Sequence, residues 1–178
     1  MRGENGTLPR MEEVMIRPIA AGDAVALESA YNALGAASKR TFHPLGDQTT
    51  AEACEAIIAE NAPETGRKFD MVAVSNGRIV GWSFLWNLSS GCPTFGLGIM
   101  DEWQGKGLGR RLMDYVLAEA IRRGIPKISL TVVQDNDRAR GMYERRGFVR
   151  QESFLGDDGL PYYYMTLELP IQKREEAT

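Results

Sequence analysis

Between Asp101 and Ala120 the chain reads DEWQGKGLGRRLMDYVLAEA. Gly105, Gly107 and Gly109 occupy alternate positions directly ahead of a periodic run. In that run Leu108, Leu112 and Val116 recur every four residues, as do Met113, Leu117 and Ile121, which predicts an amphipathic helix over Leu108 to Arg122. The first turn of a helix presents N–H groups without partners and about half a positive charge. Glycines ahead of it remove side chains, so an anion can reach the backbone, and Arg110 and Arg111 follow at once. These residue types in this spacing can hold a phosphate-bearing ligand. Two familiar cradles fail on spacing. The nucleoside-triphosphate loop needs Lys-Ser/Thr after its last glycine, and here the nearby Lys106 lies between glycines. The dinucleotide fingerprint Gly-x-Gly-x-x-Gly, started at Gly105, meets Arg110 at its third glycine. What remains is Gln-x-x-Gly-x-Gly, carried by Gln104, Gly107 and Gly109.

Few other residues offer chemistry. His43 is the only histidine, and the only side chain whose ordinary titration falls near neutrality. Cys54 and Cys92 are the only cysteines; with one histidine they are too few for a zinc site, so no metal is expected and both read as reduced structural thiols. Asp101 and Glu102 read as solvated loop carboxylates beside the glycines. Asp157 and Asp158 lie in a turn, where they would attract a cationic amine if that turn flanks a site. Trp82 and Trp86 alternate along one strand and read as sheet core; with His43 and Asp157, Trp82 is also a candidate substrate contact.

These residues must be positioned by a mixed set of elements. EVMIRPI is a short apolar run ended by Pro18, a first strand. AGDAVALESAYNALGAA has Val25, Leu27, Ala30, Tyr31 and Leu34 near helical spacing. SKRTFHPLGDQ reads as a loop, and TTAEACEAIIAENA as a second helix capped by Thr49 or Thr50, with Ile57 and Ile58 inward. FDMVAVS and RIVGWSFLW, split by Asn76-Gly77, form a hairpin, because that pair supplies the positive φ angles of a type I′ turn. TFGLGIM alternates again through Phe95, Leu97 and Ile99. After the periodic helix, Gly124 and Pro126 stop the chain and KISLTVV is a strand. DNDRARGMYERRGF is a short helix with Asp135 or Asn136 as cap and Gly147 as its left-handed end. Two final strands flank GDDG. The order is β-α-α-β-β-β-α-β-α-β-β, an α/β chain with a mixed, mostly antiparallel sheet; the crossover from TFGLGIM to KISLTVV is the one expected to join parallel neighbours.

A length of 178 residues suits one domain at 11–171, with a loose leader at 1–10 and a charged, frayed tail at 172–178. A net charge of −3 argues against nucleic acid as the partner, since phosphate backbones call for a basic face. No apolar stretch approaches the ~20 residues of a membrane span, and the N-terminus MRGENGTLPRM has no apolar signal core. A cytoplasmic location is the resulting expectation.

Two signatures together carry a family resemblance. GIMDEWQGKGLGRRLM looks like the acetyl-CoA pyrophosphate loop of the GNAT (Gcn5-related) N-acetyltransferases, and VVQDNDRARGMYERRGF is similar to that family's second signature. The resemblance spans roughly Met15 to Leu169. It implies the acyl-CoA N-acyltransferase fold, acetyl-CoA as cofactor, and transfer of its acetyl group to a primary amine of unknown identity without an acyl-enzyme. It implies, residue by residue, that backbone N–H groups of Gln104, Gly105, Lys106, Gly107, Leu108 and Gly109 hold the pyrophosphate, with Lys106 or Arg110 adding charge. The backbone of Leu97, Gly98, Ile99 and Met100 would pair with the pantetheine arm, and Gly96 and Gly98 fit a close backbone approach there. Ile99 or Met100 would offer an oxyanion donor. Asn136 would touch the pantetheine or order its loop, Ala139 would leave room for the cofactor, and Tyr143 would be the general acid. Family habit adds a homodimer. The other class of reading is a non-catalytic acyl-CoA sensor, against which Tyr143 argues, since a sensor needs no acid there.

Overall fold

Asn76 and Gly77 have φ values of 48° and 74°, the positive pair that closes the expected hairpin. The computed structural model describes residues 14–61 and 66–170, so the leader expected at 1–10 and the tail expected at 172–178 lie outside the described residues. Strand β1 (Met15–Pro18) leads to helices α1 (Ala24–Asn32), α2 (Ala36–Thr41) and α3 (Ala51–Ala59). The hairpin strands β2 (Lys68–Ser75) and β3 (Arg78–Trp86) follow, then β4 (Thr94–Ile99) and a 3-10 turn (Asp101–Trp103). Helix α4 (Leu108–Arg122), strand β5 (Lys127–Val133), helix α5 (Asp137–Arg145) and strands β6 (Val149–Leu155) and β7 (Pro161–Glu168) complete the chain.

The seven strands form one sheet in the order β1-β2-β3-β4-β5-β7-β6. Every neighbouring pair is antiparallel except β4 and β5, which α4 connects. That parallel pair is in register only at Thr94 and Ser129, where the Ser129 N–H donates to the Pro93 carbonyl at 2.9 Å. Beyond this point β4 and β5 part, and the gap between them opens toward the glycine turn. Helix α4 lays Leu108, Leu112, Met113, Val116, Leu117 and Ala120 into the core. Burying one large aliphatic side chain contributes about 1.5–3 kcal/mol, whereas a glycine costs roughly 0.5–1 kcal/mol of order. The packed face of α4 therefore outweighs the glycines ahead of it. Among the described residues no helix is long and apolar enough to cross a membrane.

One element departs from the sequence reading. The stretch read as the end of one helix and a loop contains α2, set off from α1 by the extended Gly35. None of its residues is buried, so it has no apolar period to read. It is held instead by Asp101, whose carboxylate accepts from the Gly35 N–H at 3.2 Å and the Ser38 hydroxyl at 2.6 Å. Asp101 stays exposed, as expected, and in addition ties α2 to the turn that precedes α4.

Candidate functional site

The N-terminus of α4 is built as a backbone cradle. Gly107 is its left-handed cap at φ 84° and Gly105 stands at φ 77°, angles that side-chain-bearing residues rarely adopt. The Gln104 N–H closes the 3-10 turn on the Asp101 carbonyl at 3.3 Å, and the Arg111 N–H reaches the Gly107 carbonyl at 3.2 Å. Between them the amides of Gly105 to Arg110 have no backbone acceptor among the described residues. The sequence reading began this run one residue early, at Gln104. The Gln104 side chain instead donates from Nε2 to the Ile99 carbonyl and the Ser38 hydroxyl, both at 3.0 Å.

A cleft of about 240 Å³ lies over this cradle and along β4. Arg110, Arg138 and Arg145 line it, together with Leu97, Ile99, Asn136 and Ala139. Lys106 does not; its ammonium donates to the Glu102 carbonyl at 2.6 Å and lies over the Trp103 ring. Of the two cations expected there, Arg110 faces the cleft and Lys106 is folded onto the turn. Arg138 and Arg145 escaped the sequence reading, although with Met142 they fall at helical spacing on one face of α5, a signal that could have found them. Asn136 both lines the cleft and caps α5, accepting from the Ala139 N–H at 3.3 Å.

The edge of β4 supplies the next groups. Met100 donates its N–H to the Val80 carbonyl at 3.0 Å, so it is spent within the sheet. Antiparallel strands bond through alternate residues, which turns the N–H groups of Leu97 and Ile99 away from β3 and into the gap. Of the two oxyanion donors considered, Ile99 is the one left with its N–H in the gap. Gly96 and Gly98 are small for a different reason than expected. A Cβ at Gly96 would lie 2.0 Å from Phe84 Cζ, and one at Gly98 would lie 2.2 Å from Phe42 Cε1. Aromatic rings lie flat on this face of the strand.

Tyr143 stands where two clefts meet. It is 7% exposed and packs edge-on against Phe95 at 6.0 Å and Phe148 at 5.7 Å. Burial pushes its phenol well above the ordinary range, so the hydroxyl keeps its proton. Among the described residues that hydroxyl has no hydrogen-bond partner. Tyr143, Phe42 and Leu97 also line the second cleft, of about 540 Å³, on the other side.

The second cleft gathers His43, Asp157, Asp158 and Trp86. The His43 Nδ1 lies 3.1 Å from the Lys39 carbonyl and its Nε2 lies 3.6 Å from Asp158. Both neighbours are acceptors, so a proton on Nδ1 is held by the Lys39 carbonyl and a proton gained at Nε2 is held by Asp158. Asp158 also accepts from the Tyr162 hydroxyl at 2.6 Å and the Leu160 N–H at 3.0 Å. Those bonds, the Tyr162 one first, hold its carboxyl below the usual range. Burial and the Asp158 charge push the Tyr162 phenol up to about 12.

Trp82 does not reach this cleft, and its role as an acceptor contact is corrected to a core one. It is 2% exposed, and its indole N–H donates to Asp70 at 2.8 Å. Asp70 sits opposite Phe84 in the sheet, flanked diagonally by Trp82 and Trp86. It accepts from both indoles and from the Asn61 amide. Burial pushes its carboxyl up to about 6 despite those donors. Trp86, read with Trp82 as core, is the tryptophan that lines the cleft.

Comparison with known proteins matches this geometry to one group. The model of the acetyltransferase (GNAT) family matches residues 30–148. An acetyltransferase of GNAT family from Streptococcus pneumoniae shares the fold with a TM-score of 0.76 at 24% identity, over 89% of this chain and 100% of that one. A protein from Salmonella typhimurium, solved with its cofactor acetyl-CoA, has a TM-score of 0.74 at 20% identity, over 93% of this chain and 99% of that one. A spermidine N-acetyltransferase from Vibrio cholerae, solved with CoA and spermine, has a TM-score of 0.71 at 18% identity, over 88% of this chain and 96% of that one. At these identities the structural likeness is one of fold.

Proposed function

The chain belongs to the GNAT family of acetyltransferases, and on that premise we propose that it moves the acetyl group of acetyl-CoA to a primary amine by direct attack within a ternary complex. The observation that carries this reading is the position of Tyr143, shared by a cationic cleft over open backbone amides and a second cleft lined by carboxylates and aromatic rings.

The first cleft fits a diphosphate in kind. It offers N–H groups, a helix N-terminus and three arginines, and among the described residues no carboxylate lines it. Gly105 to Arg110 would hold the pyrophosphate, and the N–H groups of Leu97 and Ile99 would pair with the pantetheine arm. When bound, acetyl-CoA supplies the thioester carbon that the amine attacks. The residues of this chain do the rest. A lysine-like amine has a pKa of ~10.4, so it must lose a proton before it attacks. His43 accepts that proton at Nε2, where Asp158 stabilises the resulting cation. The Ile99 N–H stabilises charge developing on the thioester oxygen. Tyr143 donates its proton to the departing sulfur, and its raised pKa keeps that proton in place until then.

A thiol-release assay with acetyl-CoA and a panel of amines tests the reading. Turnover is expected, with kcat reduced about 100-fold or more in Tyr143→Phe while CoA affinity is kept. CoA binding with no turnover on any amine, and no effect of Tyr143→Phe, would replace the enzyme with a cofactor sensor.

A further inference from the structure

The acceptor cleft is selective by composition. The geometry points to an acceptor whose primary amine is carried on a flat, aromatic body with no carboxylate beside the nitrogen. This rests on the acetyl-transfer reading above and narrows its substrate.

Two stacked aromatic pairs line the cleft. Phe84 and Trp86 lie 4.1 Å apart at 19°, and Phe154 and Tyr162 lie 5.6 Å apart at 16°. They come from β3 and from the β6–β7 hairpin, so they reach the cleft from separate parts of the sheet. The β3 pair is covered, Phe84 being 4% exposed and the Lys68 ammonium lying 4.1 Å over the Trp86 ring, so the open ring is that of the hairpin pair, with Phe154 42% exposed. An exposed aromatic surface of this kind favours a ring, which gains from both burial and stacking. The volume of about 540 Å³ falls within the range that takes a small organic ligand.

Charge sets the second condition. Asp157 and Asp158 line the cleft, and among the described residues no lysine or arginine does. Arg40 acts on Tyr162 and Asp158 from nearby, but both its terminal nitrogens are bonded to Asp135, at 2.9 and 2.8 Å. A carboxylate on the acceptor would meet two like charges and no lysine or arginine among the lining residues. An ammonium is drawn in. Asp158 is already engaged by Tyr162, Leu160 and His43, whereas Asp157 has no partner among the described residues and is left to receive the cation.

Matched amines separate the two conditions. 2-Phenylethylamine differs from L-phenylalanine by the carboxylate and from ethylamine by the ring; spermidine carries more charge and no ring. With saturating acetyl-CoA, kcat/KM for 2-phenylethylamine should exceed that for each of the other three by about tenfold or more. Asp157→Asn and Phe154→Leu should each raise its KM about fivefold or more without moving the KM for acetyl-CoA. Turnover in which L-phenylalanine, ethylamine or spermidine equals or surpasses 2-phenylethylamine overturns this assignment and leaves acetyl transfer standing. Calorimetry on the CoA-loaded protein gives a readout independent of turnover. Selective binding of 2-phenylethylamine without turnover supports the cleft assignment and sinks the catalytic reading. Absence of both binding and turnover of 2-phenylethylamine overturns the assignment.

Discussion

Asp70 is ionisable, wholly buried and bonded to both tryptophans of β3. Its folded pKa of about 6 lies above the ordinary value of 3.8, so between these values the native state holds a proton that the unfolded chain has released. Its contribution to stability is therefore fullest below pH 3.8 and is lost as pH rises through about 6. A separation of about two pH units corresponds to roughly 3 kcal/mol. Urea unfolding of the native protein and of Asp70→Asn should show the native advantage shrinking by up to about that amount from pH 4 to pH 7, and a pH-independent difference would reject it. Nothing in FDMVAV signals this arrangement beyond an acid inside an apolar strand. The neighbours that give Asp70 its role come from the facing strand, which a linear reading does not bring beside it. The place of Tyr143 on α5 was legible for the opposite reason: its signature lies within one short helix and the turn that ends it.

At the scale of elements, α4, α5 and the β2–β3 hairpin were legible because each writes its own start, period and stop: the glycine turn and Gly124 for α4, Asn136 and Gly147 for α5, Asn76-Gly77 for the hairpin. Helix α2 was not, because its order comes from Asp101, more than sixty residues away. Asp101→Ala removes the acceptor of the Gly35 N–H and of the Ser38 hydroxyl. It should cost about 1–2 kcal/mol locally and speed amide exchange across residues 36–41 about tenfold, with α4 unchanged. Unaltered exchange in α2 would show that the helix holds without this tie. Because Phe42 and His43 follow α2 directly, the same variant carries the loss into the second cleft.

Across the whole molecule, the mixed sheet and its single parallel crossover followed from the order of elements. The parting of β4 and β5 did not, since pairing and its loss are decided between strands rather than within them. Four strands stand on one side of that gap and three on the other. CoA at 100 times its Kd should raise unfolding free energy by about 2.7 kcal/mol, and amide exchange should slow in both β4 and α5. A melting temperature indifferent to CoA would contradict occupancy of the gap.

With only Thr94 and Ser129 in register across it, the boundary between β4 and β5 is where backbone pairing stops within an otherwise continuous sheet. A reactant laid along β4 would complete that wall, as mortar closes a seam between two courses of brick. On the proposed reading, release of spent CoA would reopen that wall at every turnover, so rigidity and catalysis would rise and fall together in one cycle.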